Sequence, residues 1–102
     1  MKQLTAAQIS NMRHAGKVLA DTFNHIRQNL RIGMTTREVD KLAEDYIVSR
    51  QCYPCFKGVY DYQYACNTSV NNEIIHGIPT DKVLQDGDIL TVDCGVGFNG
   101  IC

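Results

Sequence analysis

The strongest constraint on the fold is a change of hydrophobic period near Gln51. Before it, apolar residues recur at spacings of three, four and seven; after it, they come in short runs broken by Gly, Pro and Asn. Ile9, Met12, Leu19, Phe23, Ile26 and Leu30 share one helical face, with Thr5 as N-cap and Gly33 as a stop after Arg31. Thr35 and Glu38 have the spacing of a capping box, and Val39, Leu42, Ala43, Tyr46 and Ile47 give a second stripe. The link between the stripes is short, so the helices are expected to pack as neighbours. A structural core is the whole explanation these stripes need.

Beyond Gln51, Pro54, Gly58 and the aromatics Tyr53, Phe56, Tyr60, Tyr62 and Tyr64 favour strand and loop. A turn is signalled at Asn71-Asn72 and another at Asp86-Gly87-Asp88, after which Ile89 to Cys94 is the clearest strand. Asn99-Gly100 is a two-residue hairpin signal flanked by Phe98 and Ile101. Helix, helix, then strands is an α+β order with a largely antiparallel sheet. No repeat and no Pro-, Gly- or Ser-rich linker divides residues 1–102.

Ten Lys and Arg against eleven Asp and Glu give a net charge of -1, which argues against a partner held by its phosphates. Met1 to Thr5 do not lead into an apolar secretory segment, and no apolar run approaches the ~20 residues of a membrane span. A cytoplasmic protein is the expectation. The five cysteines, an odd number, then read as free thiols. Cys52 and Cys55 have C-x-x-C spacing, but a helix precedes them and a Gly- and Tyr-rich stretch follows, the wrong setting for a thioredoxin-like site. Cys66, His76, Cys94 and Cys102 include no second close pair to complete a zinc site. His14 and His25 lie on the first helix and are expected to pack there rather than ligate.

Asp93 is an odd residue to end an apolar strand, since Asp is depleted in strands and costly to bury alone. Taken by itself, it reads as a solvated strand end. The hairpin adds a second reading. With Asn99 and Gly100 as turn residues, Phe98 pairs with Ile101 and Gly97 with Cys102. Extending that register puts Asp93 opposite position 106, with position 104 as its diagonal neighbour, roughly 7–8 Å away. A carboxylate there would share a metal site with Asp93.

Three stretches together resemble the type I methionine aminopeptidases, metallopeptidases of the pita-bread fold. They are Met12-Arg13-His14-Ala15-Gly16, Ser69-Val70-Asn71 leading to His76-Gly77-Ile78-Pro79, and Asp86-Gly87-Asp88 leading through a strand to Asp93. Gly33-Met34-Thr35-Thr36 and Glu38 match the family's connection into its second helix. The resemblance covers nearly the whole chain and implies that 1–102 is the N-terminal part of a single catalytic domain, the first half of the pita-bread fold.

The resemblance also implies roles. Asp93 matches the first of five metal ligands, and His76 matches a histidine that contacts substrate near the scissile amide. Tyr62, Phe56 and Val59 fall where the family lines its methionine pocket. The implied activity is metal-dependent removal of N-terminal methionine from nascent proteins. It uses two divalent ions (Co, Mn, Fe, Zn or similar), with no nucleic acid or membrane partner. The sequence departs from the family at Tyr62-Gln63, where an aromatic-proline pair is usual, and at Asn67, where a cysteine is common. The other four ligands lie in the family beyond the equivalent of Cys102. Residues 1–102 alone are therefore expected to be inactive, and to be unstable or self-associating. The competing expectation is a non-catalytic binding protein on the same half-fold.

Overall fold

The computed structural model describes residues 3–71 and 77–102. Helix α1 runs Ala6–Asn29 and α2 runs Thr36–Ser49. Both open with a full capping box, Thr5 with Gln8 and Thr35 with Glu38. The first helix stops at Asn29, before Gly33, because Leu30 has already turned extended. Gly33 then takes φ +94, and Arg31 donates its backbone N–H to Met34 Sδ.

The core lies between the helices and the strands. Val39, Ala43 and Ile47 of α2 are fully buried, as the second stripe predicts. The α1 stripe holds only in part. Ala15, Val18, Thr22 and Ile26 are its buried positions, with Leu19 and Phe23 packed beside them. Ile9, Met12 and Leu30 are exposed. Small residues suit a close helix–helix approach, and Thr22 satisfies its hydroxyl by donating to the Val18 carbonyl.

Strands β1 (Tyr53–Pro54), β2 (Cys66–Val70), β3 (Leu90–Cys94) and β4 (Val96–Gly97) complete the fold, and both strand pairings are antiparallel. Tyr53 pairs with Gly97 and Pro54 with Val96, Cys55 N–H donates to the Gly95 carbonyl, and Cys66 to Val70 pair with Cys94 to Leu90. β1 and β2 therefore lie end to end along one edge of residues 90–97. Pro54, which has no N–H, falls on a rung that needs none. The turn at Asn99-Gly100 forms as expected: both residues have positive φ, and Phe98 and Ile101 exchange backbone hydrogen bonds.

The free-thiol expectation fails for two of the five cysteines. Cys55 and Cys102 are joined as a disulfide, while Cys52, Cys66 and Cys94 are free and buried. The rung that fixes Cys55 beside Gly95 explains the pairing, because it brings Cys55 to the base of the hairpin. Two strands flanking a third are about 9.5 Å apart. Cys102 lies only 6.0 Å from Cys55 between Cα atoms, so it steps out of the ribbon toward its partner. The C-x-x-C pair is thus split between the core and the hairpin. No described helix is long and apolar enough to cross a membrane.

Candidate functional site

Strand alternation decides which side chains the helices cover. Cys66, Thr68, Val70 and Cys94 are buried on the helix side, with Leu90 and Val92 packed against the same core. Asn67, Ser69, Thr91 and Asp93 occupy the other face. Asp93 is exposed and stands directly across from half-buried Asn67.

The hydrogen-bond pattern fixes the character of the rungs. Cys66 gives its N–H to Asp40 Oδ1 at 2.8 Å, and its carbonyl accepts from the Tyr62 hydroxyl at 2.6 Å. Neither group is spent on β3, so Cys66 and Cys94 face each other at a rung without mutual backbone bonds, where side chains approach most closely. The two thiols meet there. The Cys66 S–H donates to the Cys94 sulfur, which pushes the Cys66 thiol up and the Cys94 thiol down from the ordinary cysteine range.

Between Cys55 and Cys66 the chain inserts ten residues, 56–65, while the ladder passes directly from Gly95 to Cys94. Residues 56–65 are thus an Ω-loop whose feet touch. It turns through Gly58 at φ +91 and a single 3-10 turn at Val59–Asp61, closed by Gly58 N–H to the Tyr62 carbonyl at 2.7 Å. A Cβ placed on Gly95 would lie 3.2 Å from the Cys55 Cβ and 3.3 Å from the Phe56 ring. Gly95 shares a face with Asp93 by alternation, so Phe56 and the Cys55–Cys102 bridge lie on that same face. Of the three expected pocket residues, Phe56 is beside the Asp93 strand and Tyr62 is at the loop's second foot. Val59 stands exposed at the loop's far end. Burial, reinforced by the charge of Asp40, pushes the Tyr62 hydroxyl up to about 12.

Sequence reasoning missed Asp40. It is buried on α2 and accepts backbone N–H bonds from Cys66 and Ala65, so it ties the second foot of the loop to the helix. Burial holds its carboxyl above the ordinary range, and those hydrogen bonds pull it partway back. Its position was a usable signal, because it falls within the buried series Thr36, Val39, Ala43 and Ile47.

His76 lies outside the described residues. Its neighbour Gly77 is held on the free edge of β2: Thr68 N–H donates to the Gly77 carbonyl at 2.7 Å, and Gly77 N–H to Ser69 Oγ at 3.3 Å. Any Cβ at Gly77 would overlap the Thr68 carbonyl, so only glycine fits. His14 packs on Phe98 with centroids 4.2 Å apart, and His25 on Tyr46 at 4.9 Å, as expected for packing histidines.

Asp93 suits one position in a metal site, since an exposed carboxylate is a ready oxygen donor for a hard divalent ion. No group of three or more His, Cys, Asp or Glu side chains converges on such a position among the described residues. The described residues therefore form no cage of their own.

Comparison with known proteins gives one consistent answer. The model of metallopeptidase family M24 matches residues 10–102. A methionine aminopeptidase of Clostridium perfringens is 45% identical over 93 residues, covering 91% of this chain and 37% of that protein. Methionine aminopeptidase 1 of Bacillus subtilis is 38% identical over 96 residues, covering 94% and 39%. The crystal structure of a Thermotoga maritima methionine aminopeptidase superposes with TM-score 0.90 and 34% identity over 97% of this chain and 40% of that one. The chain thus spans about two fifths of the length of these relatives. The likeness bears out the α+β fold and the N-terminal pita-bread portion expected from the sequence.

Proposed function

Because the chain belongs to metallopeptidase family M24, we propose that it is part of an aminopeptidase that removes N-terminal methionine from nascent polypeptides in the cytoplasm. Residues 1–102 contribute the N-terminal portion of one catalytic domain. The observation that carries the reading is the placement of Asp93, a carboxylate on the uncovered face with Phe56 beside its strand and Asn67 across from it.

In this reading Asp93 holds one side of a divalent-cation site. A divalent cation held there would supply Lewis-acid activation of water and of the scissile carbonyl. The chain's own residues then orient the substrate. Phe56, with Tyr62 and Val59 on the same loop, offers apolar surface to an unbranched thioether side chain, and such contacts favour methionine. Tyr62 stays neutral throughout the physiological range, since burial and the charge of Asp40 push its hydroxyl up to about 12, and it donates to the Cys66 carbonyl. His76 donates a hydrogen bond to the substrate near the scissile amide.

The test is release of free methionine from a short methionyl peptide by the full-length protein with cobalt or manganese. Release should stop with a chelator, return with metal, and fall strongly in His76→Ala. Full turnover by the metal-free protein would overturn the reading, and undiminished turnover in His76→Ala would remove that residue from it.

A further inference from the structure

The Ω-loop has a cysteine at each foot, and each foot cysteine faces another on the 90–102 segment. Cys66 meets Cys94 on the helix side, where both are buried and reduced. Cys55 is bonded to Cys102 on the Asp93 side, where Cys55 is half-buried. The two feet are also anchored differently. The Cys66 foot is held by Asp40 and by the Tyr62 hydroxyl, independently of any disulfide. At the Cys55 foot the other ties are the Cys55–Gly95 and Lys57–Pro54 backbone bonds and an ion pair between Lys57 and Glu44, both partly exposed.

We propose that Cys55–Cys102 is a reversible redox clasp, opened by small thiols of the glutathione class, that fastens the first foot of loop 56–65 beside Asp93. The bridge lies on the face that the helices leave uncovered, and the Cys102 sulfur is the end attacked. A reductant thiolate attacks it, the S–S bond breaks, and Cys55 leaves as a thiolate that takes up a proton. A second reductant thiolate then attacks the reductant sulfur of the mixed disulfide and frees Cys102. One protein disulfide and two reductant thiols become two protein thiols and one reductant disulfide, so the step balances without a further oxidant. Cys66 and Cys94 are not drawn in, because their burial denies reagents access to them. Opening frees residues 55–59, including Phe56 and Val59, while the second foot stays on α2. The consequence for turnover rests on the functional reading above; the clasp itself does not.

The experiment is a thiol count in denaturant followed by limited trypsin cleavage at Lys57. Protein trapped with alkylating reagent during purification should gain two free thiols on reduction, those of Cys55 and Cys102, with Cys52, Cys66 and Cys94 free throughout. Cleavage at Lys57 should run about tenfold faster once the clasp is open, since local opening no longer has to work against a cross-link. Cys102→Ser and Cys55→Ser should cleave at the fast rate with or without reductant. No gain of free thiols on reduction, or a cleavage rate in the wild type that reduction leaves unchanged, would overturn the proposal. Thiol and cleavage results as expected in a protein that releases no methionine would sink the functional reading and leave the clasp standing.

Discussion

On one face of the β2–β3 ribbon, Cys66, Thr68, Val70 and Cys94 are shut against the helices. On the other, Asn67, Ser69, Thr91 and Asp93 are half-buried or exposed. The same two strands supply both sets, one residue apart, so a stabilising position always adjoins a position available for chemistry. This difference teaches that stability and function should separate cleanly by face. The sharpest way to break that claim is Asp93→Asn. Turnover by the full-length protein should drop at least ~10³-fold, on the scale of lost transition-state electrostatics. The midpoint of thermal unfolding should stay within about 2 °C, because the side chain contributes no burial. A large loss of stability would show that the uncovered face also holds the fold together.

The opposite expectation applies to Ile47, fully buried on α2. Ile47→Ala should cost about 3 kcal/mol, from lost transfer energy and the cavity left behind. Urea denaturation should show it as a lowered midpoint, with metal affinity in the folded protein unchanged.

How much of this was legible in the sequence follows from how local each cause is. Both helix starts were readable because Thr5 and Thr35 act within four residues. The Asn99-Gly100 turn was readable because two positive φ values demand those residue types. The covered face of α1 was misjudged at Ile9 and Met12. Periodicity identifies a stripe, but which part of it is buried depends on where the partner helix ends. Asp93 was notable for its type, yet its face depends on the register with β2, a strand no local pattern announced. The disulfide was not legible at all. Cys55 and Cys102 are 47 residues apart, and only the ladder that sets Cys55 beside Gly95 brings them together.

Asp40 sharpens the comparison, since it is a charged group on the covered side. Asp40→Ala should cost about 1–3 kcal/mol, the penalty for stranding the Cys66 and Ala65 N–H groups. Asp40→Asn keeps an acceptor oxygen and should stay within about 1 kcal/mol of wild type at neutral pH. The pH dependence has a definite sign. The folded carboxyl titrates above its ordinary value of 3.8. Its stabilising contribution is therefore complete below that value and is lost as pH rises through the raised one. Wild type should gain stability relative to Asp40→Asn as pH falls from 7 toward 4, read from urea midpoints at each pH. A relative loss would mean that the N–H bonds outweigh desolvation.

The smallest effect is expected at the Lys57–Glu44 pair, which links the first foot of the loop to α2. Its side chains are 45% and 28% exposed, so water screens the attraction and removing it should cost less than about 1 kcal/mol of global stability. Local stability should be more sensitive. Lys57→Met keeps most of the aliphatic stem and removes the charge, and hydrogen exchange can follow the Gly58 N–H, which is bonded to the Tyr62 carbonyl. With the disulfide closed, the variant should exchange there at nearly the wild-type rate. With the disulfide reduced, the ion pair is one of few remaining ties, and its loss should accelerate exchange severalfold. Equal acceleration in both redox states would mean that the ion pair and the disulfide hold different parts of the loop. The uncovered face would then depend on the helices more than the covered-face comparison allows.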